Sequence, residues 1–387
     1  MQRATMAKAG KLLTLSVSAG AGHMRAAAAL ARAGAGWHPP VAVPVIDTFR
    51  YVSPFLQNVS VGLYLEMVRV TPRVYGYIYR RLEDGRTSAR TKVEFTRVLN
   101  RLTAPKLARL IAAEDPGALV CTNNFPLSVL DYLKRRGKLS IPVIAVITDF
   151  TVHSFWVFGG VDLYLVAGEA LVPQLVRQGV EAGRVAVTGI PIDPVFAGSW
   201  DRQEEKARLG LRPDLPCVLV MGGALGMGPL QAVVEALGHM ATPVQLLVVA
   251  GNNAVLKGRL ARLAPTLANH VRVFGFVQEI HRLMAAADLM IGKAGGLSCA
   301  EALAMGLPIF IIDPIPGQEE RNAEFLARQG AALLVEGPSR VAGDVENYLC
   351  SPEFRRSMSG AARGLGRPDA ARAALGAITA LVGWEGG

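Results

Sequence analysis

A chain of 387 residues, 51% hydrophobic and 19% charged, is too apolar for intrinsic disorder and long enough for two domains of ordinary size. Its net charge of +10 is lopsided: residues 1–195 hold 23 basic and 13 acidic side chains, and residues 196–387 hold 18 of each. A basic half beside a neutral one suits an anionic surface, lipid or nucleic acid, and the absence of zinc spacing or an RNP-like pattern argues against nucleic acid.

The apolar run at 12–17 is about six residues long before glycines, His23 and Arg25 interrupt it, too short for the apolar core of a signal peptide. No run of about 18 apolar residues occurs, so no transmembrane helix is expected. Residues 11–18 read instead as a buried strand, 18–23 as a glycine loop and 24–33 as a helix, the opening unit of a doubly wound sheet. A second strand is expected at 41–46. From 54 to 110 the pattern turns helical (54–70, 73–82 and 88–112), and residues 69–109 carry 11 basic and 3 acidic side chains among Tyr and Leu. Aromatic rings beside arginines suit a membrane interface, while an ordinary helical insertion with a solvated face is the plainer reading.

The α/β rhythm resumes with strands at 118–121, 141–147, 162–166 and 185–188 and helices at 126–136 and 170–178, before a proline-rich linker at 189–194. The second half repeats it: strands at 217–221, 245–250, 271–274, 285–291, 309–312 and 332–335, helices at 229–239, 253–264, 278–287 and 318–329, and closing helices at 339–349, 352–365 and 368–382. The expected division is 1–192, 193–366 and a C-terminal helix over 367–387 that returns to the first domain. Cys121, Cys217, Cys299 and Cys350 are scattered, without metal-ligand spacing, and most read as core residues of a reducing cytoplasm; no metal site is expected.

The chain is organised around residues 292–308, GKAGGLSCAEALAMGLP. A strand, a glycine loop and a helix start follow one another, and such a turn offers backbone N–H groups beside a positive helix end, a site for phosphate. Ser298 and Glu301 have the spacing of a capping box, so Glu301 either caps its own helix or reaches a ligand, where a carboxylate can accept both hydroxyls of a ribose. A second glycine loop, 222–228, also ends a strand, and the two together could cradle a diphosphate; neither is a Walker motif. Gln318 and Glu319 open a helix after a third strand, suited to grip sugar hydroxyls or simply to enrich a first turn in acid. In the first half, His23 sits at a helix N-terminus, whose positive end should lower its pKa and keep it a base. Asp149 and His153 follow another strand end, with Asp149 either orienting His23 or serving as the base itself.

The motifs GGALGMGP, GFVQEIHRLMAAADLMIGKAGGLSCAEALAMGLP and DPIPGQEERN, with SAGAGHMRAA and TDFTVHSFW upstream, resemble the glycosyltransferase family of plant monogalactosyldiacylglycerol synthase and bacterial processive diacylglycerol glucosyltransferases. That family is related to the enzyme that adds N-acetylglucosamine to lipid I. The resemblance runs from about residue 12 to 336. It implies the GT-B fold, two Rossmann-like doubly wound domains facing across a cleft, and inverting transfer of a hexose from a UDP-sugar in the C-terminal domain to a lipid acceptor, diacylglycerol above all, in the N-terminal one. By motif, Glu301 would hold the ribose, Gly222, Gly223, Met227, Gly295, Gly296 and Ser298 would line the diphosphate, Phe276 and Val277 would flank the uracil, and Gln318 and Glu319 would hold the sugar. His23 or Asp149 would be the base, with Gly22, His153 and Trp156 on the acceptor side. No tightly bound cofactor or metal is implied, and the basic segment would hold the enzyme at the inner face of a membrane. The chain departs from the family pattern at Leu225 and Leu297, both inside glycine loops. Two rivals stand beside this reading: a UDP-sugar 2-epimerase, which would not need the basic segment, and a catalytically silent UDP-sugar sensor, which could dispense with His23 and Asp149.

Overall fold

The first strand, β1 (Leu12–Ser16), is buried at every residue, as a parallel strand covered on both faces must be. It opens a computed structural model that describes residues 10–18, 21–51 and 89–384. Helix α1 (Ala21–Ala35) follows, then β2 (Val45–Asp47). The expected strand at 41–46 contracts to this short piece because Pro40 and Pro44 have no N–H to give the ladder; their region still serves as acceptor, with Leu12 N donating to Ala42 O at 2.8 Å and Thr14 N to Pro44 O at 3.0 Å. The helices expected at 54–70 and 73–82 lie outside the described residues. Helix α2 (Ala89–Glu114) carries an internal proline, Pro105, on its exposed side. Then come β3 (Ala118–Cys121), α3 (Asn124–Arg135), β4 (Val143–Val146), β5 (Leu163–Val166), α4 (Val172–Arg177) and β6 (Val185–Val187). All six strands join one parallel sheet in the order β2-β1-β3-β4-β5-β6.

A second sheet follows a helix that sequence reading missed, α5 (Arg202–Arg208). Its polar sequence has no apolar stripe, and only its cap betrays it: Asp201 accepts from Glu204 N at 2.9 Å. Strand β7 (Cys217–Met221) leads to α6 (Leu230–Gly238), β8 (Gln245–Val249), α7 (Ala254–Leu263), β9 (His270–Phe274) and α8 (Ile280–Ala286). Strand β10 (Leu289–Gly292) is shorter than the expected 285–291, because Ala285 and Ala286 finish α8. The chain closes through α9 (Gly296–Ala304), β11 (Ile309–Ile312), α10 (Gln318–Arg328), β12 (Ala332–Val335), α11 (Pro338–Cys350), α12 (Pro352–Leu365) and α13 (Ala370–Val382). This sheet is also parallel throughout, ordered β12-β11-β10-β7-β8-β9.

The chain divides into two compact units. One comprises Met1–Pro194, Pro316–Gln318 and Asp369–Gly387; the other comprises Val195–Ile315 and Glu319–Pro368. Helix α13 therefore belongs with the first unit, where Ala371, Ala374, Leu375 and Ile378 pack with Ala29, Leu30 and Ala33 of α1. A Cβ on Gly117 would lie 2.4 Å from the Trp384 ring, so that glycine exists to let the C-terminal tryptophan seat against the start of β3. Cys121, Cys217 and Cys299 are buried and Cys350 is exposed.

The second unit is pinned at the N-terminal edge of β7 and β10 by a desolvated ion pair. The Lys206 side chain is 4% exposed, and its ammonium donates to Asp288 Oδ2 at 3.3 Å and to Leu215 O at 2.9 Å. Asp288 also accepts from Cys217 N at 2.9 Å and Arg202 at 2.7 Å. Removing one member of such a pair strands the other charge in the protein interior. Asp288→Ala is therefore expected to cost the second unit about 3 kcal/mol, read by chemical denaturation; a loss under about 1 kcal/mol would mean that water reaches Lys206.

Candidate active site

In an open parallel sheet, ligands gather where the strand order reverses, at the carboxyl ends of the strands. In the second unit that point lies between the neighbours β7 and β10, whose last residues, Met221 and Gly292, are in register. Both strands run straight into glycine loops, and the loops divide into two kinds of glycine. A Cβ on Gly222 would stand 2.3 Å from Met227 O, and one on Gly226, at φ +59°, would stand 2.1 Å from Ala250 O. These two let the loop fold back on itself, with Met227 N donating to Gly222 O at 2.9 Å, and pack on the end of β8. Gly223, at φ +68°, has nothing within 4 Å of its Cβ position, and Gly295 has only Glu319 Oε1 at 4.0 Å. Gly223 and Gly295 thus present open backbone, whereas Gly222, expected among the lining residues, is a buried packing glycine. Beneath the two loops lies a small, mostly apolar crevice that Met227, Gly228, Lys293 and Ile312 help to line.

The capping box expected at Ser298 and Glu301 does not form. Helix α9 begins two residues earlier, at Gly296, with Gly295 as its N-cap and no side-chain cap, so its first-turn N–H groups face the glycine loop without a protein oxygen from a cap. Such a helix start is a ready anion site. Ser298 becomes the third helical residue and is half-buried; Glu301 falls in the next turn at 1% exposure. Phe276, just past β9, is 52% exposed beside a half-buried Val277, an open aromatic face at a strand end.

Lys293, the residue after β10, was not singled out by sequence reasoning, although its place inside the glycine motif was the available signal. Its side chain is 11% exposed and its Nζ lies 3.3 Å from Glu319 Oε1. Glu319 Oε2 accepts from Ile315 N at 2.8 Å, and Asn322 Nδ2 donates to Ala294 O at 3.1 Å, tying the loop after β11 and helix α10 to the loop after β10. Glu319, expected at the sugar, is thus engaged with Lys293 and its own loop.

In the first unit the order reverses between β1 and β3. His23 is the third residue of α1 and half-buried. Its Nδ1 lies 3.1 Å from Thr148 Oγ1, and its carbonyl accepts from Thr122 Oγ1 at 3.1 Å; Thr122 also bonds Ser16 at 2.9 Å. Burial holds the imidazole below its ordinary pKa, opposed by a hydrogen bond at the Thr122 backbone. The expected lowering is present, but its leading cause is burial where the sequence suggested the helix end. Thr122 and Thr148 escaped the sequence reading because they come from other strand ends, 99 and 125 residues away. The partner on Nδ1 is Thr148; Asp149, read from sequence as either orienting His23 or serving as the base, accepts from Gln318 Nε2 at 3.0 Å, a contact within the first unit. Gly22 is half-buried beside His23 in α1. His153 is buried, with Nδ1 accepting from Phe155 N at 3.0 Å as the cap of the turn Ser154–Trp156 and its ring 4.1 Å from that of Phe155; Trp156 is buried as well. Both are engaged in the local fold.

The exposed side of α2 carries Arg101, Lys106 and Arg109 around Leu102, itself 55% exposed. The rest of the basic aromatic segment lies outside the described residues. Among the described residues no helix is long and apolar enough to cross a membrane, and no group of three or more His, Cys, Asp or Glu could hold a metal ion.

Two family models match this chain: monogalactosyldiacylglycerol (MGDG) synthase over residues 23–192 and the glycosyltransferase family 28 C-terminal domain over residues 217–369. The chain is 32% identical over 353 residues to a processive diacylglycerol β-glucosyltransferase of Bacillus pumilus, covering 90% of this chain and 89% of that one. In structure it is similar to MurG of Acinetobacter baumannii, with a TM-score of 0.61 at 16% identity over 96% of this chain and 99% of that one. It is also similar to Alr3699/HepE of Anabaena in complex with UDP-glucose, with a TM-score of 0.57 at 15% identity over 96% and 99%. The fold is therefore of the GT-B class, with two Rossmann-like domains.

The two kinds of glycine should part on substitution. Gly226→Ala places a methyl group against the Ala250 carbonyl and should lower the melting temperature by several degrees, whereas Gly295→Ala meets no protein atom closely, loses only some N-cap preference, and should melt closer to the parent while binding UDP less tightly. Equal melting temperatures for the two variants would refute the division.

Proposed function

We propose that this chain, which belongs to the family of processive diacylglycerol β-glucosyltransferases, transfers glucose from UDP-glucose to the free hydroxyl of diacylglycerol with inversion at the anomeric carbon. The observation that carries the reading is the pair of open backbone patches at Gly223 and Gly295, beside the uncapped start of α9, at the point where the second sheet reverses. A diphosphate there would receive backbone N–H groups and a helix dipole without displacing any side chain. Glu301, in the following turn, would hold the ribose hydroxyls, and Phe276 with Val277 would flank the uracil. Gln318 would contact the sugar. Glucose is favoured over other hexoses because the similar relative is named for it.

His23 is the proposed base. Its lowered pKa leaves the imidazole neutral near pH 7, so it can take the proton of the acceptor hydroxyl as that oxygen attacks the anomeric carbon from the face opposite UDP. Thr148 at Nδ1 would fix the ring orientation. The exposed basic side of α2, with Leu102 among Arg101, Lys106 and Arg109, suits peripheral attachment to an anionic membrane, where the acceptor resides.

The test is UDP release by the purified chain from UDP-glucose, UDP-galactose and UDP-N-acetylglucosamine, with and without diacylglycerol in anionic vesicles. Release that needs diacylglycerol, is fastest with UDP-glucose and falls at least about 100-fold in His23→Ala and Glu301→Ala is expected. UDP binding without turnover on any acceptor would overturn the catalytic reading in favour of a sensor. The pH profile gives a separate check. The base works deprotonated and burial lowers its pKa, so kcat/KM should hold down to pH below the ordinary imidazole value of about 6.5 and fall only at lower pH. An acid limb above that value would assign the base to another group.

A further inference from the structure

Lys293 stands among three strand-end loops of the second unit. Its stem runs beside Gly228 of the loop after β7, where a Cβ would lie 3.9 Å from its Cγ and Cδ. Its ammonium is 3.3 Å from Glu319 Oε1, beside the loop after β11, and that oxygen lies 4.0 Å from the Cβ position of Gly295 in Lys293's own loop. The Lys293 and Glu319 side chains are only 11% and 18% exposed.

We propose that Lys293 is a catalytic residue that carries the charge of the departing diphosphate, and that Glu319 is the positioning residue that holds its ammonium at the glycine loops. The inference rests on the glycosyltransferase reading above. In the transfer, the bond from the anomeric carbon to the β-phosphate oxygen breaks and its electron pair stays on that oxygen. The new bond forms from the acceptor oxygen, whose proton passes to His23. Negative charge therefore grows on the β-phosphate, where the helix start offers only about half an elementary charge. An ammonium offers a whole one, in a site shielded enough from water for it to count. Lys293 keeps its proton throughout. Without donor, the carboxylate of Glu319 makes a largely buried ammonium tolerable; with donor, the diphosphate competes with that carboxylate for the same cation. Glu319 can hold this position because its other oxygen is fixed on Ile315 N at 2.8 Å.

The pair predicts opposite signs on UDP affinity. Lys293→Met should lower kcat about 100-fold or more and raise the inhibition constant of UDP at least about tenfold, while that of uridine, which has no phosphate, stays within about twofold. Lys293→Arg, which keeps the charge, should recover part of both losses. Glu319→Gln should tighten UDP, because the diphosphate no longer competes with a carboxylate. A Lys293→Met enzyme with kcat within about threefold of the parent would overturn the proposal, as would UDP and uridine weakening together, the mark of a merely structural brace. Should Lys293→Met fail to fold, Glu319→Gln decides: weaker UDP binding there overturns the charge competition. A parent chain that neither binds UDP nor turns over a UDP-sugar would instead sink the glycosyltransferase reading itself, while an active parent with an equally active Lys293→Met sinks only this inference.

Discussion

Everything in the second unit that bears on ligand chemistry follows from β7 and β10 lying side by side while their crossovers leave in opposite directions. Two adjacent parallel strands then end at the same level, and neither connecting helix can cover the gap between them. Backbone N–H groups that a continued ladder would have used are left at the sheet edge beside the dipole of α9. The glycines are the local answer to that geometry. Gly222 and Gly226 let the first loop turn tightly enough to clear the gap, and Gly223 and Gly295 keep its floor free of side chains. Ordinary residues at the first pair would clash with backbone; at the second they would fill the space a ligand needs.

The first unit solves a different problem with the same topology. Its reversal between β1 and β3 holds a titratable ring where the second unit holds bare backbone. Thr122 and Thr148 come from the ends of β3 and β4, and each reaches His23 with a hydroxyl. Thr122 donates to the His23 backbone carbonyl and Thr148 faces the ring at Nδ1; a hydroxyl there can donate or accept, so it orients the imidazole in either tautomer without adding a charge that would raise its pKa. A carboxylate at Nδ1 would have favoured the imidazolium; a threonine leaves burial as the dominant influence, and burial favours the neutral ring.

The sequence displayed strands more clearly than loops, for a physical reason. Strands buried on both faces are continuous apolar runs, so 118–121, 217–221 and 309–312 could be read directly, and helix α11 announced itself by its apolar period. Helix α5 hid because its stability rests on the Asp201 cap and on ion pairs such as Arg282 with Glu205 at 3.0 Å, made 77 residues away. The start of α9 was misjudged because Ser298 offers a good cap, and nothing local reveals that the two preceding glycines already take helical and cap positions. Of the candidate site, motifs drew attention to His23, Glu301 and the glycines one by one. What was not legible was which residues face each other. Thr148 on His23, Lys293 on Glu319 and Gln318 on Asp149 are juxtapositions made by the fold between distant strand ends.

The charge distribution, which first suggested an anionic partner, also acquires a physical division. In the second half acids and bases balance, and several are spent on one another: Lys206 and Arg202 on Asp288, Arg282 on Glu205, Lys293 on Glu319. A site for a diphosphate needs positive potential only within a few ångströms, because the ligand is small and its charge compact; a net excess would add repulsion within the unit without improving the fit. A planar anionic surface acts over a Debye length and many lipids at once, so it responds to the summed charge of an exposed face. The proposed membrane attachment would use the second kind of attraction, through Arg101, Lys106 and Arg109 on the outer side of α2, and the proposed diphosphate contact the first, through the near-buried Lys293. On the proposed function, one chain can thus be strongly basic overall and still keep its second unit nearly neutral, because a diphosphate and a membrane surface sense charge over different distances.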